Sequence, residues 1–170
     1  MPTKRTGGKM RTRVLRDGDF ASLAEFVKDI YKDIPESMWF EAPPAEPELR
    51  SLFDAKMDAM SRSTVVDLVT FDGKDMVGEC EIVKTARSLG YIGILVKKEY
   101  RRKGLASKLL DSAIGMAKGI GIDTVQAEVA DGNEAAMEFF IKHGFRQRGG
   151  ARPLKMGRQE FGLLLMEKKV

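Results

Sequence analysis

A chain of 170 residues has the length of one domain with one substantial core, and 43% hydrophobic with 32% charged residues excludes a disordered or collagenous polymer. No apolar run approaches the roughly 20 residues a membrane-crossing helix needs, which speaks against a membrane partner. The formal charge of +4 is local: Lys4, Arg5, Lys9, Arg11, Arg13 and Arg16 precede the first acid, Asp17, leaving 23 basic against 25 acidic residues, and no RNA-binding aromatic motif or zinc-finger spacing supports nucleic acid as a partner.

Residues 1–8, ending in Gly7-Gly8, read as a flexible basic tail, and 9–170 as one domain. Met10, Thr12 and Val14 alternate with Arg11, Arg13 and Leu15 as in a short strand. Asp17 or Asp19 is placed to cap a helix on which Phe20, Leu23, Val27 and Ile30 form an apolar stripe. From Asp33 to Glu48, four prolines with Trp39 and Phe40 break periodicity and predict a long loop. A second amphipathic helix carries Leu49, Leu52, Phe53, Met57 and Met60.

Thr64 to Phe71, the Asp72-Gly73 turn signal and Met76 to Lys84 predict a β-hairpin. Tyr91 to Val96 is a further strand. Gly104 to Lys118 predicts a helix with Leu105, Leu109, Leu110, Ala113 and Met116 inward, ended by Gly119-Ile120-Gly121. Thr124 to Val129 reads as a strand, and Asn133 to Lys142 as a helix with Ala136, Phe139 and Phe140 inward. Phe145 and then Phe161 to Met166 read as closing strands. This order predicts an α/β fold of the α+β type, a mixed sheet with helices on both faces. Cys80 is the single cysteine, so no internal disulfide forms and a cytoplasmic protein is expected.

The segment with the clearest chemistry is Tyr91 to Gly104, a strand followed by Arg101-Arg102-Lys103-Gly104-Leu105-Ala106 and a long helix. N–H groups at a helix start have no internal partner and, with the helix dipole, form a site for phosphate. A glycine there admits an anion close to the backbone, and three cations attract a diphosphate. A basic helix start is unfavourable unless something negative sits on it. A Walker A loop is absent, and Gly119-Ile120-Gly121 follows a helix with Thr124 where a dinucleotide fingerprint has its third glycine.

Arg101-x-x-Gly104-x-Ala106, five residues after Val96, resembles the acetyl-CoA pyrophosphate loop of the GNAT superfamily of N-acetyltransferases. Asn133, Ala136 and Gly144-Phe145 resemble that family's later signature, and the two motifs span about Tyr91 to Phe145. The resemblance implies a GNAT-like fold with a central, mostly antiparallel sheet of about six to seven strands. It implies acetyl-CoA as cosubstrate, with no metal, and a primary amine as acceptor, either a small cationic amine or a peptide or protein amine. Ile94, Leu95 and Val96 would bond the pantetheine arm through their backbone. Arg101, Arg102, Lys103, Gly104, Leu105, Ala106 and Ser107 would wrap the pyrophosphate. Asn133 would meet the cofactor from the far side, although it is also placed to cap its helix.

In this family a neutral amine attacks the acetyl thioester directly in a ternary complex, and a tyrosine often protonates the departing thiolate. Phe140 stands where that tyrosine is expected and would line the cofactor site without a proton to give. The strand start Ser88-Leu89-Gly90-Tyr91 lacks the glutamate base of some protein-lysine acetyltransferases. Glu79 and Glu81, about 7 Å apart on one strand face, either relay a proton from the acceptor or decorate a solvated surface. His143, the only histidine, is placed to cap a helix end. The acids Asp33, Glu36, Glu41, Glu46 and Glu48 with Trp39 and Phe40 would either draw a cationic amine or form an ordinary acidic loop. Arg146, Arg148, Arg152, Lys155 and Arg158 form a basic counter-surface before the last strand. A CoA-binding regulatory or structural module without turnover is the alternative function. The sequence leaves a homodimer open.

Overall fold

The computed structural model describes residues 9–34, 40 and 42–170. The expected tail over 1–8, and Glu36, Trp39 and Glu41 of the acidic segment, lie outside the described residues. Seven strands, β1 (Arg11–Val14), β2 (Val65–Asp72), β3 (Asp75–Lys84), β4 (Leu89–Val96), β5 (Thr124–Ala130), β6 (Arg146–Met156) and β7 (Gln159–Lys169), form one sheet in the order β1-β2-β3-β4-β5-β7-β6. Every neighbouring pair is antiparallel except β4 and β5. Helices α1 (Phe20–Asp33) and α2 (Glu46–Ser61) cover one face, while α3 (Leu105–Gly119) and α4 (Glu134–Lys142) cover the other. The mixed sheet covered on both faces is the expected architecture. No helix of the described residues is long and apolar enough to cross a membrane.

Helices on both sides explain β2, whose residues from Val65 to Phe71 are all buried. Asp67, the one acid of that buried stretch, is therefore in the interior. The β2–β3 ladder runs regularly from Val65 opposite Val83 to Thr70 opposite Gly78, then slips so that Phe71 faces Met76. Val77 is the extra residue of this bulge. Its carbonyl accepts the Lys97 N–H at 3.0 Å, which ties the segment leaving β4 to β3. On the α3 face Gly78 lets the helix in: a Cβ there would stand 3.1 Å from Leu109 and 3.2 Å from Leu105.

Several local expectations are corrected. Asp19 precedes α1 but does not cap its N–H groups; its carboxylate accepts from the backbone of Arg16 at 2.8 Å and grips Arg13 at 2.6 and 2.8 Å. The charged partner takes the oxygens a cap would have used. Helix α2 begins at Glu46 with Pro47 in its first turn, so the segment is shorter than 33–48. Leu52 and Met116 are exposed, because Leu49 with Phe53 and Leu110 with Ala113, Ile114 and Ala117 already fill the faces turned to the sheet. The Arg146 to Arg158 stretch, read as a surface before the last strand, is strand β6 and its turn, pairing β7 at the sheet edge.

Candidate functional site

The parallel pair in the middle of the sheet is only three rungs long: Leu89 with Thr124, Gly90 with Val125, and Tyr91 with Gln126. Beyond Tyr91 the strands diverge. Each arm of the V is held from outside, since β3 pairs β4 as far as Val96 and β7 pairs β5 as far as Ala130. Alternate backbone groups of a strand point to each neighbour, so the inner edge of β4 past Tyr91 offers N–H and C=O groups that no strand of the described residues takes up. Ile94, Leu95 and Val96 lie on this arm. Ile94 packs on the α3 core, Leu95 on the α1–α2 core, and Val96 is buried.

The chain leaves β4 through a single turn of 3-10 helix, Lys98–Tyr100, and reaches α3 at Gly104, which has φ +80°. Arg102 also has a positive φ, +58°. Two left-handed residues in three turn the chain sharply into the helix start. The first helical bond of α3 runs from the Lys108 N–H to the Gly104 carbonyl at 3.2 Å, which leaves the N–H groups of Gly104, Leu105, Ala106 and Ser107 facing outwards from the helix end. A Cβ on Gly104 would meet no atom within 4 Å, so the space in front of this loop is open.

The cations are not equivalent. Arg101 turns back into the protein, donating from Nε to the Val96 carbonyl at 2.8 Å and from a terminal nitrogen to Asp33 at 2.5 Å. Lys103 donates to the Glu99 carbonyl at 2.7 Å. Both brace the loop, while Arg102 is exposed. Arg101 thus holds the loop's shape, while the Arg102 and Lys103 side chains both lie at the surface. Lys97 adds a second tie to α1 through Asp29 at 2.8 Å.

At the end of the β5 arm the Asn133 N–H bonds the Ala130 carbonyl at 3.0 Å, and its side chain caps α4 by accepting from Ala136 N–H at 3.1 Å. Asn133 and the Gly104 loop thus follow the same ends of two parallel strands, the usual place for a ligand crevice in such sheets. Phe140 is buried between the Phe139 and Phe145 rings, with centroids 5.3 and 4.9 Å away. His143 caps the helix end as expected, its Nδ1 2.8 Å from the Phe139 carbonyl. Phe40 is partly buried on the α1–α2 core.

On the α1–α2 face of the V stand two polar groups of residues. In the first, Tyr91 lies 3.4 Å from Glu128 of β5, which also pairs with Arg152 of β6. Burial and the Glu128 carboxylate push the Tyr91 phenol up, so it stays protonated. In the second, the Lys56 ammonium lies 2.7 Å from Asp67, 2.7 Å from Glu79 and 2.9 Å from Glu81. Glu79 is only 7% exposed, which overturns the solvated-face alternative for it. The Glu81 side chain retains 31% exposure and stands opposite Gly93, on the β4 arm of the V. Burial would raise Glu79, yet the Lys56 charge and the hydrogen bond from Lys56 hold it below the usual range. Lys56 is driven well up by three carboxylates that outweigh its burial.

Lys56, Asp67, Tyr91 and Glu128 were missed by sequence reasoning. A signal existed for two of them: Asp67 interrupts the apolar run Val65-Val66-Asp67-Leu68-Val69, and Lys56 follows Leu49 and Phe53 at the spacing of the buried face of α2.

Residues 24–145 match the model of the acetyltransferase (GNAT) family. The chain belongs to that family. It is 40% identical over 57 residues, 33% of its length, to N-alpha-acetyltransferase 30 of Schizosaccharomyces pombe, and this match spans 38% of the relative's own length. Its fold is shared with ribosomal-protein-alanine N-acetyltransferase from Brucella melitensis, at TM-score 0.81 and 19% identity over 94% of this chain and 99% of that one. It is shared too with spermidine N-acetyltransferase from Vibrio cholerae, solved with CoA and spermine, at TM-score 0.75 and 17% identity over 94% and 95% of the two chains.

Proposed function

We propose that the chain is an acetyl-CoA-dependent N-acetyltransferase that takes a primary amine as acceptor. The observation that carries this reading is the V between β4 and β5, opening immediately after Tyr91 and ending beside the exposed N–H groups of Gly104 to Ser107. These residues fit the cofactor. The open space before Gly104 and the helix-start N–H groups suit a pyrophosphate, and the inner edge of Ile94 to Val96 suits an extended amide-bearing arm. When bound, acetyl-CoA supplies an activated acetyl thioester.

The chain's own residues then have distinct tasks. Arg101, braced by Val96 and Asp33, fixes the phosphate loop, and Arg102 meets the anion from solvent. The acceptor enters from the α1–α2 face, where Glu81 and Glu128 favour a cationic amine. An alkyl ammonium has a pKa of about 10.4, so a carboxylate at the mouth of the V assists by taking a proton. Glu81, partly exposed beside Gly93, is the residue assigned that role; Glu79 is enclosed beneath it. Phe140 lends an apolar wall and no acid.

The acceptor class is either an N-terminal peptide amine, as the names of the Schizosaccharomyces and Brucella relatives suggest, or a polyamine, as that of the Vibrio relative suggests. Release of free CoA thiol from acetyl-CoA, measured over spermidine, lysine-containing peptides and peptides with a free α-amino group, tests the reading. Amine-dependent release supports it. Tight CoA binding with no release over any amine favours the module without turnover, the reading that Phe140 in place of a tyrosine supports.

A further inference from the structure

Beneath the acceptor face, one ammonium serves three carboxylates. Lys56 reaches down from α2 to Asp67 on β2 and to Glu79 and Glu81 on β3. Among the described residues, α1 turns Phe26, Val27 and Ile30 to this core, and β4 offers Leu95 and Gly93, with the Tyr91 phenol two residues along. The Cys80 thiol lies behind β3, on the α3 side. Fully ionised, the quartet would carry two negative charges in the interior, where like charges repel strongly.

Geometry identifies the member that gives way. Asp67 is completely buried; its Oδ2 lies 2.7 Å from an ammonium that it shares with Glu79 and Glu81, and its Oδ1 has no partner among the described residues. A buried carboxylate with one oxygen left without a donor and the other sharing its cation is among the costliest of polar groups. As an acid it becomes a donor, and Glu79, held 2.7 Å from the same ammonium, is a carboxylate able to accept.

We propose that Asp67 is the neutral, proton-carrying member of the quartet, donating to Glu79, and that Lys56 is thereby the positioning residue that holds Glu81 at the mouth of the V. This rests on the acetyltransferase reading only for what Glu81 meets there. With Asp67 neutral the group carries one net negative charge, and Glu81 is the member through which it reaches the acceptor. The direction of the Asp67 shift agrees: burial first, then the charge of Glu79, push its carboxyl well above the ordinary range against the pull of Lys56.

The test uses the whole chain labelled with ¹³C at aspartate and glutamate carboxyls. Asp67 is assigned by the signal lost in Asp67→Asn. The expected result is a carboxylic-acid signal for Asp67 throughout pH 5 to 8, and an Asp67→Asn protein that melts within about 2 °C of the original, since the amide mimics the acid in shape and in donating. An ionised Asp67 at pH 7 overturns the proposal. In the thiol-release assay with butylamine as a minimal acceptor, Lys56→Met is expected to lower kcat about tenfold or more with CoA affinity kept, and Lys56→Arg to recover part of it. Full turnover in a folded Lys56→Met protein, or no recovery with arginine, overturns the positioning role. Should Lys56→Met fail to fold, the Asp67 signal and the arginine variant decide. If the unaltered chain releases no thiol, the functional reading fails while the Asp67 signal still judges the proton.

Discussion

Arg101 donates its Nε–H to the carbonyl of Val96, five residues earlier, while the far side of the same guanidinium holds Asp33 at the end of α1. One side chain thus closes the segment between β4 and α3 into a fixed loop and fastens it to a helix of the opposite layer. A lysine could not do this, because its ammonium lacks the planar fork that reaches two acceptors in different directions. Arg101→Lys is therefore expected to weaken CoA binding about tenfold, and Asp33→Asn by less. The double variant should be no weaker than Arg101→Lys alone, as for residues acting through one contact. Calorimetric titration with CoA measures all three.

Gly104 combines φ +80° with open space before its Cα. Gly104→Val places a β-branched side chain in the left-handed region and in the position assigned to the phosphate. CoA affinity should fall about a hundredfold, and the melting temperature should drop with it by several degrees. Gly104→Asn, which tolerates this backbone, should restore the melting temperature and leave affinity reduced. Recovery of both would remove the loop from the cofactor site.

Phe140 sits in an edge-to-face stack with Phe139 and Phe145. Phe140→Leu is expected to cost about 1–2 kcal/mol of stability through lost ring contacts. The CoA dissociation constant and kcat should stay within about threefold. A kcat collapse in a folded protein would give the ring a part in the chemistry that an apolar wall does not have.

The Arg13–Asp19 pair predicts a pH dependence of stability. The hydrogen bond from Arg13 foremost, then the backbone bond from Arg16 and the nearby charges, hold Asp19 below 3.8 against its burial. A carboxyl whose folded pKa is depressed stabilises the fold above its unfolded pKa, and that contribution is lost as pH falls through the folded value. Asp19→Asn should lower the melting temperature by about 4–8 °C at pH 7, with the difference closing as the pH falls below the ordinary aspartate range. A difference that persists unchanged in acid would assign the effect to shape rather than charge.

The cofactor half of the site was legible in the sequence because its parts are consecutive. Strand, loop and helix start fall within Tyr91 to Ser107, and Asn133 declares itself by opening a helix. Of the acceptor half only Glu79 and Glu81, on one strand face, were legible. Asp67 and Glu128 come from other strands and Lys56 from α2, and only the register of β2, β3, β4 and β5 with the packing of α2 brings them to one face. Periodicity states which residues share a face of their own element; it does not state which faces meet. The long β6 escaped for a different reason. Arg146-Gln147-Arg148-Gly149-Gly150 has no apolar alternation, because an edge strand with nearly every residue exposed has no buried face to mark.

That edge strand has a consequence for how the molecules behave in a crowd. Among the described residues the outer rim of β6 is an unpaired row of backbone donors and acceptors, the kind of border along which sheets of separate molecules zip together. Here the rim is guarded: Pro153 interrupts the row of N–H groups, the slip between Arg148 and Arg152 breaks its straightness, and Arg146 and Lys155 add positive charge beside Arg148 and Arg152, which are paired with Glu167 and Glu128. Neutralising Arg146 and Lys155 should leave the fold and the thermal midpoint nearly unchanged. It would convert a self-repelling border into an adhesive one, visible as turbidity on concentration long before any loss of structure.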